Sequence, residues 1–222
     1  MMSSIPLPKH VESSISTHQQ RKWQQTAVPI THSSLPIDFL ITDCPDKNHI
    51  DEFSHLLLSH QVSDVLRICD PSAYDASLLS VAGIKVHELY FEDGTPPTAQ
   101  VVNAFRSILN QKAKLLSTSS TLDKKISSSS LTSTKPVLAI HCVSGIGRAP
   151  VLVCCALIDY GMDPSDAVAY VRKYRRGAIN KSQLAWILDR HKGFKPSLGR
   201  LQQKFSLDAF KNIFSKKSNC SL

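Results

Sequence analysis

The residues that could do chemistry lie together in one run of thirteen: His141-Cys142-Val143-Ser144-Gly145-Ile146-Gly147-Arg148-Ala149-Pro150-Val151-Leu152-Val153. An apolar run, Val137 to Ile140, leads in, and an apolar helical run, Val151 to Tyr160, leads out. Between strand and helix stand a cysteine, five residues and an arginine, with Gly145 and Gly147 inside the loop. Glycines let successive backbone N–H groups turn inward as a nest, and the following helix presents its positive end to the same point. Val143, Ser144, Gly145, Ile146 and Gly147 would form this phosphate-binding loop, and Arg148 would add a planar, bidentate grip on phosphate oxygens. The nucleophilic form of cysteine is an anion, the thiolate, so Cys142 in an anion cradle is the expected nucleophile.

A phosphate ester held there would set its phosphorus against the Cys142 sulfur. Attack makes a thiophosphate, with Arg148 and the loop amides stabilising the charge of the transition state. The leaving group then needs a proton, which calls for a carboxylic acid on a separate loop. One stretch fits well: Glu92-Asp93-Gly94-Thr95-Pro96-Pro97. Asp93 is the favoured acid and Glu92 its competitor. Taken alone, Asp93-Gly94 is an ordinary turn; beside the cradle, the catalytic reading is the better one. His141 either orients Cys142 or is a packed residue closing a strand. Cys154 and Cys155 lie in the apolar helix and read as core.

Strands and helices must alternate to position these groups. Ile37 to Thr42, Val62 to Ile68, Ile84 to Leu89 and Val137 to Ile140 read as strands, with helices over Asn48 to Ser59, Tyr74 to Val81 and from Pro97. Further helices follow the cradle: one ends at Gly161, one runs from Pro164 to Tyr174, and one from Lys181 to Arg190. This order predicts an α/β fold, a mostly parallel twisted sheet with helices on both faces. The cradle then falls at the carboxyl end of a central strand, where such sheets bind ligands.

Composition divides the 222 residues into a leader, a domain and a tail. Residues 1–34 are rich in Ser, His, Gln and Thr and read as a disordered leader. Residues 35–194 hold the domain, with a flexible Ser-rich insertion at 117–135. Residues 195–222 form a basic tail. From Arg190 onward eight basic residues face one acid, Asp208, which accounts for nearly the whole net charge of +8. Such localised charge favours an anionic membrane surface, and no nucleic-acid motif accompanies it. A solvated tail kept for solubility fits equally well. The absence of an apolar leader and of any long apolar run implies a cytoplasmic chain with reduced thiols. The six cysteines show no metal-ligand spacing, so neither metal nor other cofactor is expected.

The segment His-Cys-x-x-Gly-x-x-Arg resembles the signature of the protein tyrosine and dual-specificity phosphatases. More narrowly, the chain resembles the type IVA protein tyrosine phosphatases, or phosphatases of regenerating liver (PRL). The likeness rests on His141 to Val153, Phe91 to Pro97, Arg67-Ile68-Cys69, and Arg175 to Leu184, within about Ile37 to Arg190. It implies that Cys142, Arg148 and Asp93 are nucleophile, phosphate arginine and general acid. It also implies that Cys69 is a redox partner forming a reversible disulfide with the nucleophile. Ala149 stands where most related phosphatases have Ser or Thr, whose hydroxyl helps the cysteine leave; slow turnover and an accumulating phosphocysteine are expected. Candidate partners are then a phosphoprotein substrate, a CNNM-type magnesium-transport mediator and a second copy of the chain. Members of the family usually end in a prenylated Cys-a-a-X box, whereas here Cys220 is third from the end. Peripheral attachment to the cytoplasmic face would then rest on the basic residues and on apolar residues interspersed over Arg200 to Ser215.

Overall fold

The computed structural model describes residues 26–122 and 135–190, with the backbone alone for 115–122. Five short strands pair into one sheet: β1 (Val28–Ile30), β2 (Asp38–Thr42), β3 (Val62–Arg67), β4 (Lys85–Glu88) and β5 (Val137–His141). Their order is β1-β2-β5-β3-β4. All neighbours are parallel except β1, which runs antiparallel to β2 along the edge. The sheet is therefore mixed but mostly parallel, and β5 is its central strand, as expected.

Helices cover both faces because strand side chains alternate between them. On β2, Leu40 joins a cluster with Phe53 and Leu57 of α1 (Ile50–Ser59) and Leu79 of α2 (Ala76–Val81). Its neighbour Phe39 instead lies 6.2 Å, ring to ring, from Phe105 of α3 (Ala99–Leu122). On this second face α4 (Arg148–Asp159) packs against β2 and β5, with α5 (Pro164–Tyr174) and α6 (Lys181–Arg190) against it in turn. Every residue of α4 from Arg148 to Ile158 is buried, Cys154 and Cys155 included, as a helix apolar on all sides must be.

The structure departs from the expected boundaries in three places. The leader does not extend to Ser34, because Val28 to Ile30 form β1 and Leu35 is buried. A three-residue strand containing a proline gives little periodic signal, and an edge strand tolerates Pro29 because one side of its backbone needs no partner. The helix expected from Tyr74 starts at Ala76. Asp75 caps it by accepting from Ser77 N–H, after a 3-10 turn over Pro71–Ala73. Helix α3 begins at Ala99 and continues through 117–122, residues assigned by composition to the insertion. The rest of the leader (1–25), the centre of the insertion (123–134) and the tail with Cys220 (191–222) lie outside the described residues. Among the described residues no helix is long and apolar enough to cross a membrane.

Candidate active site

β5 ends at His141, and Cys142 follows it at the carboxyl edge of the sheet, buried and with a free thiol. The loop from Val143 to Gly147 then turns into α4, whose N-cap is Gly147. Without a capping side chain, the first N–H groups of α4 are left to serve an anion. Gly145 has to be glycine on two counts. Its φ is +63°, and a Cβ there would lie 2.7 Å from the Thr42 carbonyl oxygen. Val143 and Ile146 stand exposed on the rim, a mostly apolar frontage for whatever carries the phosphate.

Arg148 is buried in the first turn of α4 and faces the same edge. Its Nη1 donates to the carbonyl of Phe91 at 3.1 Å and, more weakly, to that of Ile68 at 3.4 Å. Asp93 Oδ1 lies 3.0 Å from Arg148 Nε, yet out of line with the N–H, so the contact is an ion pair without a hydrogen bond. That leaves the Nε–H as a buried donor with no partner. Such a group costs free energy unless something accepts from it. A phosphate oxygen in the cradle would. Asp93 itself is 77% exposed, so the carboxylate sits at the mouth and reaches in only at its tip.

His141 is both packed and directing. Its ring is buried against Phe53 and Tyr74, at 5.8 and 5.6 Å between centroids. Nε2 is 2.9 Å from Tyr74 Oη, and Nδ1 is 3.1 Å from the Cys142 carbonyl oxygen. A carbonyl can only accept, so Nδ1 carries the proton and donates to the backbone of Cys142, while Nε2 accepts from Tyr74. Arg67 holds Tyr74 in turn, with its guanidinium 4.4 Å from the ring centre and Nη1 2.6 Å from the Tyr74 carbonyl.

Cys69 lies just past β3, with its sulfur 3.6 Å from that of Cys44. The hydrogen bond from Cys44 holds the Cys69 thiol well below the usual range, against the opposing effect of burial and with further help from His141. The same bond, together with burial, drives the Cys44 thiol upward.

The segment after α5, to which the sequence assigns no role at the site, supplies a set of braces. Arg175 donates from Nε to the Gly145 carbonyl at 3.2 Å and from Nη2 to the Ser144 carbonyl at 2.8 Å, and pairs with Asp43. Ile179 N–H donates to the Ile146 carbonyl at 2.9 Å, from a backbone at φ +68°. A β-branched residue held there stores roughly 1–3 kcal/mol, and such strain clusters at functional sites. Asn180 Nδ2 donates to the Gly94 carbonyl at 2.9 Å, and Gln183 Nε2 to the Thr95 carbonyl at 3.3 Å. Gln183 also lies against Gly147, so one short segment ties the acid loop and the cradle together. In the sequence the segment counts only through the resemblance carried by Arg175 to Leu184; its polar content alone is ordinary for a turn between helices.

No family model matches the chain. It is 38% identical over 169 residues to protein tyrosine phosphatase PRL-1 of Leishmania major, covering 74% of this chain and 90% of that one. It is 39% identical over 163 residues to a probable protein tyrosine phosphatase type IVA A of Dictyostelium discoideum, covering 73% and 87%. The type IVA 2 enzyme of Mus musculus is 35% identical over 161 residues, covering 72% and 84%. Among solved structures, a protein tyrosine phosphatase from Leishmania major superposes with a TM-score of 0.59 at 33% identity, covering 72% of this chain and 96% of that one. Kinase associated phosphatase, at 18% identity and a TM-score of 0.58, shares the fold, covering 75% and 94%.

Proposed function

The chain belongs to the type IVA (PRL) protein tyrosine phosphatases, and from that premise we propose that it hydrolyses phosphotyrosine, and in a dual-specificity mode phosphoserine or phosphothreonine, on protein substrates through a phosphocysteine intermediate. The observation that carries the reading is the convergence of Cys142, the buried partnerless Arg148 Nε–H and Asp93 at one sheet edge. In the first step the Cys142 thiolate forms a bond to phosphorus, the bond from phosphorus to the tyrosine oxygen breaks, and Asp93 passes its proton to the departing oxygen. In the second, water attacks phosphorus while the Asp93 carboxylate takes its proton. The P–S bond breaks, releasing inorganic phosphate and the thiolate. The amides of 143–147 and the Arg148 guanidinium meet the charge that develops on the phosphoryl oxygens.

Asp93→Asn removes the proton without changing the shape of the loop. kcat/KM for a phosphotyrosine peptide, which reports the first step, should fall roughly 10²–10³-fold, within the ordinary contribution of a positioned acid. An aryl phosphate with a strongly acidic phenol should lose much less, because its leaving group needs no proton. Equal losses on both substrates would remove Asp93 from the acid's role and return Glu92 to consideration.

Ala149 is fully buried in the first turn of α4, one residue from the phosphate arginine. It cannot give the departing Cys142 sulfur a hydrogen bond, so the second step is the slow one and the phosphocysteine accumulates. Ala149→Ser restores a hydroxyl, and one hydrogen bond to a charged group is worth about 1.5–3 kcal/mol. Turnover should rise roughly tenfold, and intact-protein mass spectrometry after brief exposure to substrate should find less of the phosphorylated chain. An unchanged intermediate would locate the slow step elsewhere.

Cys69 is proposed as the redox partner of Cys142. Cys69 lies two residues past β3 and Cys142 one residue past β5, at the carboxyl edge of two paired strands. A second reading makes the fold a binding module for a CNNM-type magnesium-transport mediator, and slow turnover from Ala149 favours it. The basic tail would hold the chain peripherally at an anionic cytoplasmic membrane face. Sedimentation with vesicles tests this: binding should be much stronger with anionic than with neutral lipid and should weaken as salt rises. Equal binding to both would end the electrostatic account.

A further inference from the structure

Three groups that the phosphatase chemistry does not use together meet behind the cradle: the thiols of Cys44 and Cys69 and the imidazole of His141. Their ligand atoms all lie within 4.8 Å of one another, with Cys142 outside the set. The Cys44–Cys69 sulfur separation is 3.6 Å, and Cys69 Sγ is 4.0 Å from His141 Nδ1. A tetrahedral zinc ion, with bonds of about 2.3 Å to sulfur and about 2.0 Å to nitrogen, sets its ligands about 3.8 Å apart for two sulfurs and about 3.5 Å for sulfur and nitrogen. The sulfur–sulfur edge is within about 0.2 Å of its value, and the Cys69–His141 edge is about 0.5 Å longer than its value, a gap that a small side-chain movement closes. Two thiolates and an imidazole are a donor set for Zn²⁺ or Cu⁺ and a poor one for Mg²⁺ or Ca²⁺.

The far side of the imidazole is already supported. Nε2 meets Tyr74 Oη at 2.9 Å, and Tyr74 is buried and stacked on Arg67. A metal-binding histidine needs such an outer partner to fix its ring and tautomer. The two thiols are free and 3.6 Å apart, a hydrogen-bonding separation. Cys44 N–H donates to the Val143 carbonyl on one side of the chain path that continues β5, and Ile68 N–H donates to the His141 carbonyl on the other, so the two cysteines flank that path and their side chains meet across it. A Cys44–Cys69 disulfide is the competing use of the pair.

We propose that Cys44, Cys69 and His141 form a Zn²⁺ site that silences the cradle when it is filled. Binding forms two Zn–S bonds and one Zn–N bond and releases two thiol protons, with water as the fourth ligand on the side of half-buried Cys44. His141 Nδ1 must offer its lone pair, so its proton moves to Nε2, which then donates to Tyr74. The Nδ1–H bond to the Cys142 carbonyl, 3.1 Å long in the metal-free geometry, is lost. The nucleophile's backbone loses its anchor, and Cys69 is no longer available to Cys142. Metal binding stands independently of the phosphatase reading; only the silencing rests on it.

The test titrates the reduced, metal-stripped full chain with Co²⁺ and displaces it with Zn²⁺. One Co²⁺ per chain should bind with thiolate-to-metal charge-transfer absorption. Cys44→Ser and Cys69→Ser should each weaken binding at least tenfold, while Cys142→Ser binds as the unsubstituted chain does. Tyr74→Phe should weaken it severalfold, a second probe that leaves both thiols in place. Circular dichroism confirms that each variant is folded. With a phosphotyrosine peptide, Zn²⁺ should inhibit the unsubstituted chain, and Cys44→Ser should need at least tenfold more Zn²⁺ for the same inhibition. Binding that survives Cys44→Ser, or that depends on Cys142, overturns the site, as does a Cys44–Cys69 disulfide found by peptide mapping after peroxide. Zn²⁺ that binds without inhibiting overturns the silencing alone. A chain inactive even without metal counts against the phosphatase reading and leaves the site standing.

Discussion

Cys142→Ser is expected to take hydrolysis of a phosphotyrosine peptide below detection, a loss of roughly 10⁵-fold or more, because no other thiol lies in the cradle loop to replace the thiolate. Serine is close in size to the buried cysteine, and the hydroxyl is a poor nucleophile with no histidine positioned as its base. His141 Nδ1 is committed to the Cys142 carbonyl and Nε2 to Tyr74. The loop amides, the helix terminus and Arg148 are all untouched, so the variant should still bind the phosphopeptide and act as a trap. That combination separates the enzyme from the binding-module reading. A variant that keeps even a tenth of the activity would sink the cysteine mechanism. A magnesium-transport mediator that binds the trap as tightly as the unsubstituted chain would show that partner binding needs the fold rather than the chemistry.

Arg148→Ala should cost roughly 10³–10⁵-fold in kcat/KM, the range of a guanidinium that neutralises a transferring phosphoryl group. The size of the loss follows from burial. Arg148 is 3% exposed, so its charge acts across a short path of low dielectric. Its Nε–H has no acceptor until phosphate arrives. The interaction is made with phosphate in the ground state and strengthens as charge spreads over the equatorial oxygens, so both KM and kcat should suffer, kcat the more. A rise in KM alone would reduce Arg148 to a substrate clamp. The substitution also removes the donor from the Phe91 carbonyl and the cation beside Asp93. The acid loop should loosen, with a stability loss of about 1–3 kcal/mol in urea denaturation. Arg148→Lys keeps the charge and loses the planar fork, so activity that it restores measures how much of the effect is charge alone.

The cradle was legible in the sequence because it is local. A strand, a glycine loop, an arginine and a helix start follow one another within thirteen residues, and each element's conformation is set by its own side chains. Gly145 at φ +63° and Gly147 at the N-cap are where backbone geometry demands them. The acid was half legible. Two carboxylates stand on the loop, and the fold sets Asp93 Oδ1 3.0 Å from Arg148 Nε. Four of the five strands and the α/β class followed from alternating periodicities, whereas β1 did not, since three residues including Pro29 fall below the length at which period two can be read.

What the sequence by itself determined is therefore a strand, a glycine loop and a helix start that carry Cys142, Arg148 and Ala149, the residues on which the proposed chemistry rests. Tertiary structure alone decided what surrounds them. Arg175, Asn180 and Gln183 look like polar turn residues until α5 and α6 bring them against Gly145, Gly94 and Thr95. Cys44, Cys69 and His141 show no ligand spacing because 25 residues separate the first pair and 72 the second. They meet because parallel strands require long crossovers, so residues at the carboxyl ends of β2, β3 and β5 become neighbours in space while remaining remote in sequence.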